Sequence, residues 1–274
     1  MSEDIVILEE SEDGSITTIR MNRLDKKNAL NGAMGNALRE AFYQAERTKS
    51  RVIIFTGSDD CFSSGVDLMT LMGQDKEMLK TVPSDPRHPG RMRFHFAKNQ
   101  RLSFMFQKIE KPIIARITGV CFGWAFELAL ACDFRFCLDS ALFGMLETKY
   151  GINPAQGGIT NLVRNCGISV AKDVAITGRR FDGNEAYRLK IVNGVAQSIE
   201  ELDAMIKKYT DELIDSAPLA VGLMKRTVDW LYGQDTNLGL ELEALVNSIL
   251  MNSKDMTTGG MARMQKKKPV WKGK

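Results

Sequence analysis

The sequence predicts an α/β core built on parallel strands and followed by an all-helical C-terminal segment. Short apolar runs closed by glycine recur, as in Arg51-Val-Ile-Ile-Phe-Thr-Gly57 and Pro112-Ile-Ile-Ala-Arg-Ile-Thr-Gly119, and Phe134-Arg-Phe-Cys-Leu138 repeats the form. Such runs suit strands buried on both faces of a parallel sheet. Segments of helical period lie between them, the alternation that defines α/β architecture. From about Ser198 the strand signals stop, which divides the chain into a core over 1–197 and a helical segment over 198–274.

In chain order, Ile5–Leu8 and Ile16–Met21 flank the turn at Asp13-Gly14 and read as a β-hairpin. Asn31 can cap a helix from about Met34 to Thr48, whose apolar positions Met34, Leu38, Ala41, Phe42 and Ala45 share one face. Between Met72 and Gln100 lie Pro83, Pro86 and Pro89, so that stretch reads as a helix and a long loop. Pro112–Cys132 reads as a buried strand and then a buried helix, because Arg116 and Glu127 would be costly in lipid. Glu200–Asp215, Pro218–Tyr232, Leu238–Met251 and Met256–Met264 have helical spacing, punctuated by Asn, Pro, Gly or Ser-Lys-Asp. No exact internal repeat is present.

Bulk properties narrow the function classes. The 274 residues are 44% hydrophobic and 26% charged, ordinary values for a folded domain with a sizeable core. A net charge of +3 is too small to argue for nucleic acid. The basic end, Arg263 to Lys274, reads either as a solvated tail or as a patch for a polyanion. The acidic start, Met1-Ser-Glu-Asp, has neither signal-peptide nor transit-peptide character. Five cysteines without a C-x-x-C pair, mostly within apolar runs, read as reduced core residues in a reducing, cytoplasmic compartment. With only two histidines, a Ser-His-Asp site and a His-rich metal site are disfavoured. Phosphate-loop, dinucleotide, nucleophile-elbow and zinc-protease motifs are all absent.

Glu127 stands out, because Val120-Cys-Phe-Gly-Trp-Ala-Phe-Glu127-Leu-Ala-Leu-Ala-Cys is apolar on every face and therefore belongs in the interior. A carboxylate there must be paired, protonated or aimed into a cavity. The alternatives are an ion pair with Arg116 or Arg135, or a catalytic acid. Glu147 is a second candidate, since two carboxylates on one cavity can divide acid and base roles. The turns Phe62-Ser-Ser-Gly65-Val66-Asp67 and Gly119-Val-Cys-Phe-Gly123-Trp124 each lead from a strand into a helix. Their free backbone N–H groups could bind a developing oxyanion, or could simply start helices.

Several ordered segments resemble the enoyl-CoA hydratase/isomerase (crotonase-like) family. Asn22-Arg-Leu-Asp-Lys-Lys-Asn-Ala-Leu30 is similar to the family's N-R-P-x-x-x-N-A-L, with Leu24 in place of proline. Phe62-Ser-Ser-Gly65-Val-Asp67-Leu68 matches its F-[SC]-[AS]-G-x-D-[LI] turn. Gly119–Asp133 resembles G-x-x-x-G-G-G-x-E-L-A-x-x-C-D, with Trp124-Ala125 in place of Gly-Gly. Phe143–Glu147 and Gly151–Gly158 resemble F-x-x-[PL]-E-x-x-x-G-x-x-P-x-x-G-G, with Ala155-Gln156 in place of Gly-Ala. Phe181–Leu189 and the Lys267-Lys-Pro-Val-Trp-Lys-Gly ending are also similar, so the resemblance spans nearly the whole chain.

The resemblance implies a crotonase/ClpP-like spiral of repeated ββα units, with a C-terminal helical trimerisation segment and two trimers often stacked. It implies an acyl-CoA thioester substrate whose carbonyl oxygen accepts the N–H groups of Val66 and Trp124. Glu127 and Glu147, 20 residues apart in sequence as in the hydratase branch, would activate water for Cβ and exchange the proton at Cα. Lys26, Lys27, Ala29, Ser64, Gly65, Asp67, Leu68 and Gly123 occupy the CoA and substrate positions. No metal, cofactor, nucleic acid or membrane partner is expected. The leading expectation is a 2-enoyl-CoA hydratase. The alternatives are a Δ3,Δ2-enoyl-CoA isomerase, or a non-catalytic CoA-ester-binding or RNA-binding relative. Phe94, Phe96, Phe104 and Phe106 line an aromatic acyl pocket with Trp124, or Phe94, Phe104 and Phe106 face the core by ordinary helix packing.

Overall fold

The computed structural model describes residues 4–80 and 88–274. Pro83 and Pro86, on which the expected long loop rests, lie outside the described residues. The hairpin forms as β1 (Val6–Glu10) and β2 (Ile16–Met21), antiparallel, with Gly14 at positive φ in the turn. Helix α1 (Gly32–Arg47) starts where the sequence places its cap, with Asn31 Oδ1 accepting the Met34 N–H at 2.8 Å. It buries Met34, Leu38, Ala41, Phe42 and Ala45 on one face. β3 (Val52–Thr56) follows, then short helices α2 (Leu68–Leu71) and α3 (Lys76–Leu79), and longer α4 (Pro89–Asn99) and α5 (Arg101–Lys108).

The next stretch sets the architecture. β4 (Ile113–Ile117), β5 (Val120–Phe122) and α6 (Trp124–Ala131) form one ββα unit, and β6 (Phe134–Leu138), β7 (Leu142–Gly144) and α7 (Gly158–Thr177) form the next. In each unit the first strand joins the large sheet and the second joins the small one. β8 (Arg180–Asp182), α8 (Gly183–Arg188) and β9 (Gly194–Ala196) complete the sheets. The large sheet has the order β1-β2-β3-β4-β6-β9, parallel from β2 onward, and the small one has the order β5-β7-β8. The expected spiral of ββα units is therefore present. The small sheet escaped the sequence reading because strands of three residues carry too little periodicity to detect.

Helices α9 (Ile199–Ile214), α10 (Pro218–Leu231), α11 (Thr236–Met251) and α12 (Lys254–Met264) follow the last strand, close to the expected bounds. Two apolar layers flank the large sheet. The main core joins α1, α5 and α6 to one face, centred on Phe42 and Phe106 with ring centroids 4.2 Å apart. On the opposite face, α9 packs Leu202 and Ile206 against Val52, Ile114 and Phe136. α9 thus covers the sheet although it begins the helical segment.

Candidate active site

Glu127 sits in the first turn of α6, whose other buried residues are all apolar. It is 2% exposed, so its partners decide what it is. Neither arginine suggested by the sequence reaches it. Arg116 pairs with Asp203 at 2.6 Å and Asp59 at 2.9 Å, and Arg135 donates to the carbonyls of Ile191, Cys132 and Ala129. Instead, Glu127 Oε2 accepts the backbone N–H groups of Gln156 at 2.7 Å and Gly158 at 2.8 Å. The loop before α7 thus clamps one carboxylate oxygen.

Glu147 opens a short 3-10 turn after β7. Its Oε1 lies beside Gly123, 3.1 Å from where a Cβ on that glycine would stand, and its Oε2 is buried with no hydrogen-bond partner. Both glutamates line one cleft of about 1170 Å³, bounded by α1, the segment after β3, α4, α5 and the Ile152–Gln156 loop. Burial pushes the Glu127 carboxyl up to about 8, and the nearby Glu147 charge adds to the effect against the two N–H donors. Burial also raises Glu147. Two acids on one cavity, each with its pKa raised by burial, can divide donor and acceptor roles.

Two N–H groups face the same region. Leu30 N donates to Gly65 O and Leu30 O accepts from Asp67 N, each at 2.8 Å. In that parallel bridge the N–H of Val66 points away from Leu30, and Val66 and Trp124 both line the cleft. Gly65, at φ +89°, leaves no room for a side chain, because a Cβ would lie 2.5 Å from the Phe122 carbonyl. Trp124 is the first residue of α6, so its N–H has no intrahelical acceptor. Gly123 before it holds φ 53° and ψ −124°, a conformation open to glycine. The indole of Trp124 reaches across to α1, with Cη2 3.2 Å from the position of a Cβ on Gly35.

The other expected site residues do not line the cleft themselves, although Val66, among them in sequence, does. Lys26 and Lys27 form an exposed turn whose carbonyls accept from Ser64, the Lys27 carbonyl from Ser64 N at 2.9 Å. Ala29 is buried and Leu68 is 63% exposed. Asp67 caps α2 and pairs with Arg23 at 2.6 Å, and Arg23 also holds the Ala29 carbonyl, so this pair ties the Lys26–Ala29 turn to the Val66 segment. Of the four phenylalanines, only Phe96 lines the cleft. Phe106 is core, while Phe94 and Phe104 are 75% and 58% exposed. The aromatic pocket is thus reduced to Phe96 and Trp124, and the core-packing alternative holds for Phe106 alone. Arg39 lines the cleft as well. The sequence did not single it out, because an arginine on an amphipathic helix carries no local signal.

The fold and this site define a crotonase-type protein, with two carboxylates and free backbone N–H groups on one cleft. The profile of the enoyl-CoA hydratase/isomerase family matches residues 11–274, and the chain belongs to that family. It is 33% identical over 268 residues to "Probable enoyl-CoA hydratase 2, mitochondrial" of Arabidopsis thaliana, covering 95% of this chain and 83% of that one. It is 32% identical over 270 residues to the carnitinyl-CoA dehydratase of Escherichia coli K12, covering 96% and 97%. The crystal structure of enoyl-CoA hydratase from Bacillus anthracis superposes with a TM-score of 0.87 at 27% identity, over 99% of this chain and all of the other.

Proposed function

We propose that the protein is a 2-enoyl-CoA hydratase that adds water across the 2,3 double bond of an acyl-CoA thioester to give the 3-hydroxyacyl-CoA. The observation that carries this reading is the pair of carboxylates, Glu127 and Glu147, on one cleft, both raised by burial and neither in an ion pair among the described residues. In the forward reaction an ionised Glu127 takes a proton from water as its oxygen bonds to Cβ. The π electrons move through Cα to the thioester oxygen, where the N–H groups of Val66 and Trp124 stabilise the enolate. A protonated Glu147 then supplies the proton at Cα. The proton gained by Glu127 returns to Glu147 through solvent, so the cycle balances with water as the sole co-reactant and calls on no metal or redox cofactor.

An isomerase moving the double bond requires one acid–base carboxylate, and a passive CoA-ester or RNA binder requires none. A buried acid and a half-buried one on one cleft favour hydration. On this reading Lys26, Lys27, Ala29, Ser64, Gly65, Asp67, Leu68 and Gly123 form the CoA and thioester side of the site. The exposed Leu238, Leu240, Leu245 and Ile249 of α11 support a homotrimer or a dimer of trimers, which light scattering would test. Among the described residues no helix is long and apolar enough to cross a membrane. The five free thiols support a reducing compartment such as the cytoplasm.

Incubation with crotonyl-CoA followed by mass spectrometry tests the function. Gain of one water supports hydration, whereas an unchanged mass with a 3-enoyl product from a 2-enoyl ester would favour the isomerase.

A further inference from the structure

The cleft holds polar atoms that hydration leaves unused. Among the described residues, six buried side-chain atoms lack a hydrogen-bond partner, and four of them belong to cleft-lining residues: Arg39 Nε, Trp124 Nε1, Glu147 Oε2 and Gln156 Oε1. Unpartnered buried polar atoms are rare and costly, and their concentration on one cavity marks groups that await ligand atoms. The proposed reaction accounts for Glu147. The remainder are two N–H donors and a side-chain amide.

Arg39 supplies the charge. Gly32, Gly35, Asn36, Arg39 and Tyr43 form the α1 wall of the cleft. The Trp124 indole rests on Gly35, and Arg39 stands one turn further along the same face, about 6 Å away. Its Nη1 donates to Asn36 Oδ1 at 3.1 Å, and it has no carboxylate partner among the described residues. The carboxylates nearest on the wall are already engaged. Asp75 accepts from Gly32 N, Thr70 Oγ1, Glu77 N and Met78 N, and Glu77 pairs with Lys80. Lys26 and Lys27 precede the α1 cap at Asn31, whereas Arg39 lies about 12 Å beyond that cap along the axis. Arg93 and Arg101 also line the cleft, but among the described residues only Arg39 of the three has a buried nitrogen without a hydrogen-bond partner.

We infer that the cleft selects acyl-CoA thioesters whose acyl group ends in a carboxylate, with Arg39 as its counter-charge and Trp124 Nε1 as a second N–H donor. Leu71, Leu102 and Met105 line the same cleft and suit the intervening methylenes. A cationic acyl group would meet Arg39 as a like charge. The inference rests on the acyl-CoA reading of this site, but it can be tested apart from turnover.

Glutaryl-CoA and pentanoyl-CoA have equal chain length and lack the reactive double bond, so calorimetric Kd values read acyl selection alone. Glutaryl-CoA should bind about ten- to hundredfold more tightly, and that ratio should fall towards one in Arg39→Gln. Equal Kd values in the wild type would overturn the inference. So would an Arg39→Gln protein that weakens both esters and free CoA to the same degree, because Arg39 would then serve the CoA moiety. Hydration of crotonyl-CoA is assayed in parallel. Its absence alongside an intact glutaryl preference would remove the hydratase reading and leave the acyl selection standing.

Discussion

Two regions of this protein bury charge, and they do so in opposite ways. Around the ends of β4 and β6 the charges are consumed internally. Lys225 reaches Asp133 at 2.7 Å and the carbonyls of Phe106 and Lys111, Asp133 also holds the Ile113 N–H, and Arg135 is spent on three carbonyls. In the cleft, Glu127 uses one oxygen on two N–H groups, and among the described residues Glu147 Oε2 meets no hydrogen-bond partner and Arg39 no ion-pair partner. The first region ties distant segments of chain together. The second retains hydrogen-bonding capacity and a raised proton affinity, which a bound reactant can use. Burial alone therefore does not identify a functional acid; the partners do.

The comparison is broken most directly by removing charge from each region. Glu147→Gln and Glu127→Gln should each lower kcat by about 10²–10⁴-fold with no loss in the denaturation midpoint. Near-normal turnover by either variant would remove that residue from the chemistry. Lys225→Met should do the reverse, costing about 3–5 kcal/mol in urea unfolding by stranding Asp133, with kcat per folded molecule retained. A Lys225 variant of full stability would erase the distinction between the two regions.

Titration sharpens it. Because the folded Glu127 carboxyl stands near 8 against 4.5 for the free side chain, the folded state binds its proton more tightly than the unfolded state. The stability this contributes is complete below pH 4.5 and is lost as pH rises through about 8. Glu127→Gln, which cannot ionise, should then gain about 1–3 kcal/mol on the wild type above pH 8. Melting curves of both proteins across that range would show it, and parallel curves would refute it. Because the ionised form is the one that takes the proton from water, the same ionisation should open the rising, acid limb of the kcat/KM profile.

Smaller effects follow from geometry and surface charge. A Cβ at Gly158 would stand 2.6 Å from Glu127 Cγ and 2.7 Å from Met145 Cε, so Gly158→Ala should shift the carboxylate and lower kcat about ten- to hundredfold. The smallest expected effect is on the CoA side. KM for an acyl-CoA should rise about two- to threefold with added salt as the Lys26 and Lys27 charges are screened, and a flat salt profile would count against their role.

Local sequence determined the parts whose causes are local. The Asn31 cap, the apolar face of α1, the Gly-closed parallel strands and the four C-terminal helices follow from spacing over a few residues, and the structure has them. An acid in an all-apolar helix marked Glu127, and the motif resemblance marked the Gly65 and Gly123 turns. Tertiary structure alone decided what those residues meet. Glu127 bonds to residues 29 and 31 positions away, beyond the reach of any periodicity, and only that contact separates a cavity acid from an ion pair with Arg116 or Arg135. Phe94, Phe96, Phe104 and Phe106 look alike in sequence, yet the rotation of α4 and α5 sends one to the core, one to the cleft and two to the surface. Arg39 reads locally as one more solvated cation, and it becomes part of the site only because α1 is folded against the cleft, where no carboxylate among the described residues neutralises it.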